Sequence, residues 1–179
     1  MPIIDTEVVK AVIEISQGNL DGIKYEIDPN LGTLKVDRLL TCHLPYPANY
    51  GFIPNTLAPD NDCTDILVVF PVGIQPTATI DVRVIGALDM EDEHGMDVKI
   101  VAVPSSHVTD KYDDVKEVGD LPEELKESIE HFFSTYKDKE ASKGKWVEIY
   151  GWLTAKESTG LIQFHRGRFY QKGFKEGER

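Results

Sequence analysis

Three aspartates crowd into Asp60-Asn61-Asp62-Cys63-Thr64-Asp65, and the apolar run Ile66 to Phe70 follows at once. Two unit charges about 4 Å apart repel by roughly 4 kcal/mol at an effective dielectric of 20, so carboxylates gathered beside a buried strand need either full solvation or a neutralising cation. A hard divalent ion such as Mg²⁺ or Ca²⁺ takes carboxylate oxygens. A solvated acidic turn, with Asp chosen for its turn chemistry, is the other reading, and the loop alone leaves both open. An EF-hand loop also begins Asp-x-Asp, but Asp65 stands where that loop needs Gly and Pro71 where it needs Glu.

Other side chains fit the same chemistry. A second acidic group, Asp92-Glu93-His94-Gly95-Met96-Asp97, precedes Lys99; by itself it reads equally as a hydrophilic turn. Glu14, Lys24 and Glu26 interrupt apolar strand patterns, and alternation puts Lys24 and Glu26 on one face of Ile-Lys-Tyr-Glu-Ile. Such a face points to water or, in a barrel, lines a polar cleft. Arg38, Tyr46, Tyr50, Tyr136 and Lys137 add cations and phenols. Arg, Lys and hydroxyl donors recognise phosphate, and carboxylates hold the metal in metal-assisted phosphoryl transfer. The chain has both sets, but no G-x-x-x-x-G-K-[ST] loop for a nucleotide.

The elements that must position these residues are mostly strands in the first hundred positions. Val8 to Ile15 is β-branched and apolar, while Gly22 to Asp28 and Thr33 to Arg38 flank turn residues as a hairpin does. Ile66 to Phe70 suggests a strand buried on both faces. Ile80, Val82 and Val84 alternate with Asp81 and Arg83 as in a half-buried strand, and Asp97 to Val103 gives another after a turn at Asp92 to Gly95. The period then changes: Leu125, Ile129, Phe132, Phe133 and Tyr136 form one face of a helix, for which Asp120 is the expected N-cap and Pro122 an early residue. Trp146 to Thr154 returns to strand. The order predicts a mainly β (α+β) fold, a closed or nearly closed OB-like barrel with one or two helices outside. One catalytic domain over 1–179 is expected. The segment 155–179 yields no clear element, and its basic end, Phe164 to Arg179, reads as a solvated or frayed terminus or a docking tail.

Composition narrows the function. With 31 acidic against 19 basic residues and a net charge of −12, the chain is not expected to neutralise nucleic-acid phosphates. Bound divalent cations can reverse the local sign for a small phosphate ligand. The apolar stretch Ile66 to Ile74 contains a proline and a glycine and is too short to span a bilayer. With no signal-peptide pattern at the N-terminus, a cytoplasmic protein without a membrane partner is the expectation. Cys42 and Cys63 match no zinc spacing and read as free thiols.

Taken in order, these residues resemble the family I soluble inorganic pyrophosphatases, prokaryotic type, from Val12 to about Trp152. Asp60-Asn61-Asp62-Cys63-Thr64-Asp65-Ile66 matches the Asp-x-Asp-Pro-x-Asp signature at its aspartates. Further matches are Val-Ile-Glu-Ile at Glu14, Ile-Lys-Tyr-Glu-Ile at Lys24 and Glu26, Val-Asp-Arg at Arg38, and Tyr-Pro-Ala-Asn-Tyr-Gly at Tyr46 and Tyr50. Asp92-Glu93 with Asp97 and Lys99, and His131-Phe132-Phe133 leading to Tyr136-Lys137, complete the series. The chain departs from the signature at Cys63, usually Pro and sometimes Glu, and at Thr64, usually aliphatic.

The resemblance implies Mg²⁺-dependent hydrolysis of pyrophosphate to two phosphates by direct attack of hydroxide formed on the metals. Asp60, Asp65 and Asp97 would hold one ion, with Asp65 also reaching a second. Further ions would enter near Asp92 and Asp97 and beside Glu26, and Asp62 would act as general base. Lys24, Arg38, Tyr50, Tyr136 and Lys137 would bind phosphate oxygens, with Glu14, Tyr46, Glu93 and Lys99 in support. Mn²⁺ or Zn²⁺ would substitute and Ca²⁺ inhibit. The resemblance also implies a homohexamer, and a second helix beyond Thr154. His131 is either a contact residue in that assembly or a packed interior histidine. The rival readings are a barrel that binds oligosaccharide or nucleic acid without chemistry, and a catalytically dead relative.

Overall fold

The computed structural model describes residues 8–178. Its strands are β1 (Val8–Ile15), β2 (Ile23–Ile27), β3 (Leu34–Leu39), β4 (Asn49–Ile53), β5 (Thr64–Val68), β6 (Thr79–Asp92), β7 (Gly95–Met96), β8 (Lys99–Pro104) and β9 (Val147–Thr154), and its α-helices are α1 (Glu123–Thr135) and α2 (Ala155–Gln171). The larger sheet runs β1-β4-β5-β8-β6, and β6 pairs back with β1, which closes the barrel. All these pairs are antiparallel except β5 with β8. Strand β2 pairs with β3 as a separate ribbon whose register sets Lys24 against Arg38 and Glu26 against Lys35.

Strand β6 is long enough to serve two neighbours. Its first residues pair with β1 while its second half leaves the barrel to pair with β9. A bulge at Val84/Gly86 makes the change of direction. Gly86 has φ +155, and a Cβ there would stand 2.6 Å from the Leu153 carbonyl oxygen, so glycine is required. Strands β1 and β4 approach still more closely: a Cβ on Gly51 would lie 1.8 Å from the carbonyl oxygen of Val12.

Apolar clusters line the two faces of β5. Ile66 and Val68 pack with Ile13, Ile53, Val82 and Ile162 of α2, whereas Leu67 packs with Tyr50, Met90 and the α1 residues Ile129, Phe132 and Phe133. The expected double burial of this strand and the expected inner face of α1 are both present.

Several local expectations are revised. Arg83 lies 8% exposed within β6, not on a wet face, because its guanidinium donates to the carbonyls of Val115 and Tyr112 at 2.5 and 2.8 Å. Asp120 does not cap α1. Its carboxylate accepts from the backbone N–H groups of Lys116 and Glu117, closing the preceding 3₁₀ turn, and Pro122 stands at the N-cap position before Glu123 instead of inside the helix. His131 is exposed on α1, which removes the interior reading.

The segment beyond Thr154 forms α2, opened by a capping box in which Thr154 accepts from the Glu157 N–H and the Glu157 carboxylate from the Thr154 N–H. Ile162 and Phe169 are fully buried and His165 is 5% exposed, so this part of the basic end is docked, not frayed. Arg179 lies outside the described residues.

Candidate active site

Each polar residue singled out from the sequence lines one cleft of about 1000 Å³ at the junction of β2, β3, the 60–65 loop, the β6–β8 region and the end of α1. Glu14 ties the β2–β3 ribbon to the barrel, its carboxylate accepting from the Ile27 N–H at 2.9 Å. Burial raises its pKa to about 7; the Ile27 hydrogen bond opposes that rise, and the charges of Asp65 and Glu26 add to it.

On the ribbon itself Lys24 Nζ lies 2.8 Å from Glu26 and 3.7 Å from Asp37. Arg38 Nε is buried without a hydrogen-bond partner among the described residues; the nearest carboxylate, Asp37, stands 3.9 Å away, beyond hydrogen-bond reach.

The acidic loop is shaped by its own backbone. Asp60 accepts from the Asp62 N–H at 3.0 Å, the Ala58 N–H donates to the Asp62 carbonyl at 2.8 Å, and Asn61 takes φ +69, a conformation Asn tolerates. Burial raises the Asp62 pKa, and Asp60, Glu26 and Asp65 push it further.

Asp65 is already part of β5, opposite Phe52. Its carboxylate shares the ammonium of Lys99, 2.6 Å away, with Asp97 at 2.7 Å. Lys99 is 3% exposed. Burial alone would lower its pKa, but Asp65 and Asp97 carry it well above the usual lysine value. Burial lifts Asp97 to about 6 against the pull of Lys99, with Asp65 adding to the rise. The two shifts look opposed, since an ion pair should depress the acid. Two carboxylates around one buried lysine resolve the conflict: the lysine stays charged and the carboxylates repel each other.

At the far wall Lys137 Nζ is 2.6 Å from Asp92 and 3.3 Å from Glu93, while Asp92 also accepts from the His94 N–H at 2.8 Å. Tyr136 stacks on Phe132 with ring centroids 6.0 Å apart. Phe132 in turn meets Tyr46 at 4.6 Å, and Tyr46 meets Tyr50 at 5.6 Å. Desolvation raises the pKa of all three tyrosines, which therefore present neutral hydroxyl donors.

Among the described residues no three carboxylate, imidazole or thiol groups converge on one point; the ammonium groups of Lys99 and Lys137 stand between the acids. Sequence reasoning missed Lys35 and Lys145, which also line the cleft. Lys35 sits opposite Glu26 across the ribbon and 3.6 Å from it, so the hairpin register was the available signal. Lys145 pairs with Glu140 around a turn closed by Gly144 at φ +78, which no local pattern announces.

An OB-like barrel carrying a cleft of interleaved carboxylates, lysines, arginine and tyrosines defines a class of phosphate-handling barrel proteins. Comparison with known proteins narrows it. The sequence matches the inorganic pyrophosphatase family over residues 11–169. It is 49% identical over 164 residues to the inorganic pyrophosphatase of Yersinia pestis, covering 90% of this chain and 92% of that one. To the inorganic pyrophosphatase of Escherichia coli K12 it is 50% identical over 156 residues, 87% of each chain. The crystal structure of the Thermus thermophilus inorganic pyrophosphatase superposes with a TM-score of 0.85 at 43% identity, covering 94% of both chains. The chain belongs to the inorganic pyrophosphatase family.

Proposed function

We propose that this protein hydrolyses inorganic pyrophosphate to two phosphates with Mg²⁺ as its metal. The observation that carries the reading is the single cleft in which carboxylates alternate with charged lysines and neutral phenols. The donor set fits the metal: Asp60, Asp65, Asp92, Asp97 and Glu26 offer hard oxygen ligands. Burial lifts Asp97 to about 6 and the charge of Asp65 adds to the rise, a repulsion that a divalent cation would relieve. When bound, Mg²⁺ supplies Lewis acidity and lowers the pKa of water.

The protein's own groups do the rest. Lys24, Arg38, Tyr50, Tyr136 and Lys137 bind phosphate oxygens, and the buried Arg38 Nε has an N–H free to donate to one. Asp62 takes the proton of the attacking water; its raised pKa makes it a better base than an ordinary aspartate. Glu14, Tyr46, Glu93 and Lys99 orient the ligands. Water adds to one phosphorus, the bridging P–O bond breaks, and the leaving phosphate departs with its charge held by the lysines and Arg38.

Mn²⁺ or Zn²⁺ would substitute, and Ca²⁺, which favours a larger and looser shell, would inhibit. We take the active form to be a cytoplasmic homohexamer with His131 available for subunit contact. No helix among the described residues is long and apolar enough to cross a membrane. Phosphate release from pyrophosphate, ATP and a phosphomonoester at equal concentration tests the substrate: pyrophosphate should be consumed at least about 10²-fold faster, since the monoester has one phosphate to bind and ATP carries a bulky nucleoside on its phosphates. Equal rates on all three would refute the reading.

A further inference from the structure

Resting on that reading of the acidic loop, we infer that His165 is a positioning residue for the loop, acting through Thr64. Thr64 and Asp65 are neighbours in β5, so their side chains point to opposite faces of the strand. Asp65 faces the cleft, while Thr64 is 1% exposed on the face covered by α2. There Thr64 Oγ1 lies 2.8 Å from Nδ1 of His165, a residue 101 positions later in the chain. The Thr64 N–H donates to Thr56 Oγ1 at 2.9 Å, and that hydroxyl donates to the Ile53 carbonyl at 2.5 Å.

The same histidine reaches the other end of the loop. Its backbone carbonyl accepts from the Leu57 N–H at 3.0 Å, and the next residue, Ala58, donates its N–H to the Asp62 carbonyl. Helix α2 therefore grips the loop before Asp60 and after Asp62, on the side away from substrate. Burial and the charge of Arg168 lower the His165 pKa, and Asp60 opposes them, so the imidazole exchanges its hydrogen bond as a neutral group. An aliphatic residue at position 64 would fill the space but leave the strand's pleat at Asp65 without a directional anchor. The pair holds one carboxylate aimed into the cleft and limits the travel of the other.

The test uses the full chain and its Thr64→Val, His165→Leu and Thr64→Ser variants, with kcat, KM for pyrophosphate, Mg²⁺ affinity by calorimetry and Tm for each. Thr64→Val and His165→Leu should each lower kcat about tenfold and weaken Mg²⁺ several-fold, the scale expected of a small misplacement of reacting groups. KM should move less than about twofold, because the phosphate-binding residues sit on other elements. Thr64→Ser, which keeps the hydroxyl, should restore most of kcat and Mg²⁺ affinity. The inference is overturned if Thr64→Val and His165→Leu keep native kcat and Mg²⁺ affinity and lose only Tm, while the unaltered chain hydrolyses pyrophosphate. An unaltered chain that neither binds Mg²⁺ nor releases phosphate overturns the reading of the site itself, and this inference with it.

Discussion

Asp62 and Asp65 lie three residues apart and are assigned different work, which makes them separable by one substitution. An amide cannot accept a proton, so Asp62→Asn should lower kcat about 10²- to 10⁴-fold with Mg²⁺ affinity largely kept. Asp65→Asn should lose both, because an amide is a poorer ligand for a hard cation and the Lys99 ammonium loses half its neutralisation. Calorimetric Mg²⁺ titration beside kcat for both variants decides it; Asp62→Asn losing metal as badly as Asp65→Asn would move Asp62 out of the role of base.

Glu14 offers a second residue-scale prediction, made in metal-free buffer. Burial holds its pKa at about 7 in the folded chain, above the 4.5 of an exposed glutamate. Between those pH values the folded chain holds the proton more tightly than the unfolded one, so stability contributed by this group is present at low pH and lost as pH rises towards 7. The size is about 3 kcal/mol across the window. Glu14→Gln keeps an acceptor for the Ile27 N–H and removes the titration. Its unfolding free energy should therefore vary less between pH 5 and about 7.5, as urea denaturation at each pH would show. An unchanged pH slope would refute the burial argument.

At this scale the site was legible because its residues are types that apolar strands rarely tolerate. Lys24 and Glu26 in β2 announce themselves in that way. His165 did not, and Thr64 stood out only as a departure from the signature, because a threonine beginning a strand and a histidine in a helix have ordinary structural uses until both are seen to meet.

Among elements, glycine placement separates packing from propensity. Gly51→Ala would push a Cβ onto the Val12 backbone, with only 1.8 Å to the carbonyl oxygen. No side-chain movement relieves that, so thermal unfolding should report a loss of at least about 1–3 kcal/mol. Gly160 lies in α2, is exposed, and has nothing within 4 Å of its would-be Cβ. Gly160→Ala should gain about 0.8 kcal/mol from helix propensity. If both variants melt like the native chain, the β1–β4 contact is not as close as described. These helix glycines also explain why α2 was hard to read: Gly160 and Gly167 interrupt a weakly amphipathic run, and the capping box at Thr154 and Glu157 was the overlooked signal. Strands β1, β5 and β8 were easier, since continuous β-branched runs have few other uses. Strand β6 was read as half-buried from its first residues. Alternation holds only from Thr79 to Val82, within the stretch that pairs with β1, and its later course depends on β9 and α2, more than fifty residues away.

For the whole molecule, the net charge of −12 comes from 31 acidic residues, ten of which line one cleft. Folding brings those carboxylates together, so a cation that binds only the folded form should stabilise it by mass action. At 100 times the dissociation constant the gain is about 2.7 kcal/mol, and Tm should rise with Mg²⁺ concentration and fall back on chelation. Asp97→Asn should blunt the shift. A melting curve indifferent to Mg²⁺ would count against a cation site in the folded protein.

The central claim is metal-dependent hydrolysis of pyrophosphate in that cleft, and phosphate release from pure pyrophosphate addresses it most directly. With Mg²⁺ at millimolar concentration the protein should turn over steadily, and excess EDTA should leave it nearly silent until Mg²⁺ is restored. Equal rates of phosphate release with and without Mg²⁺ would contradict the account.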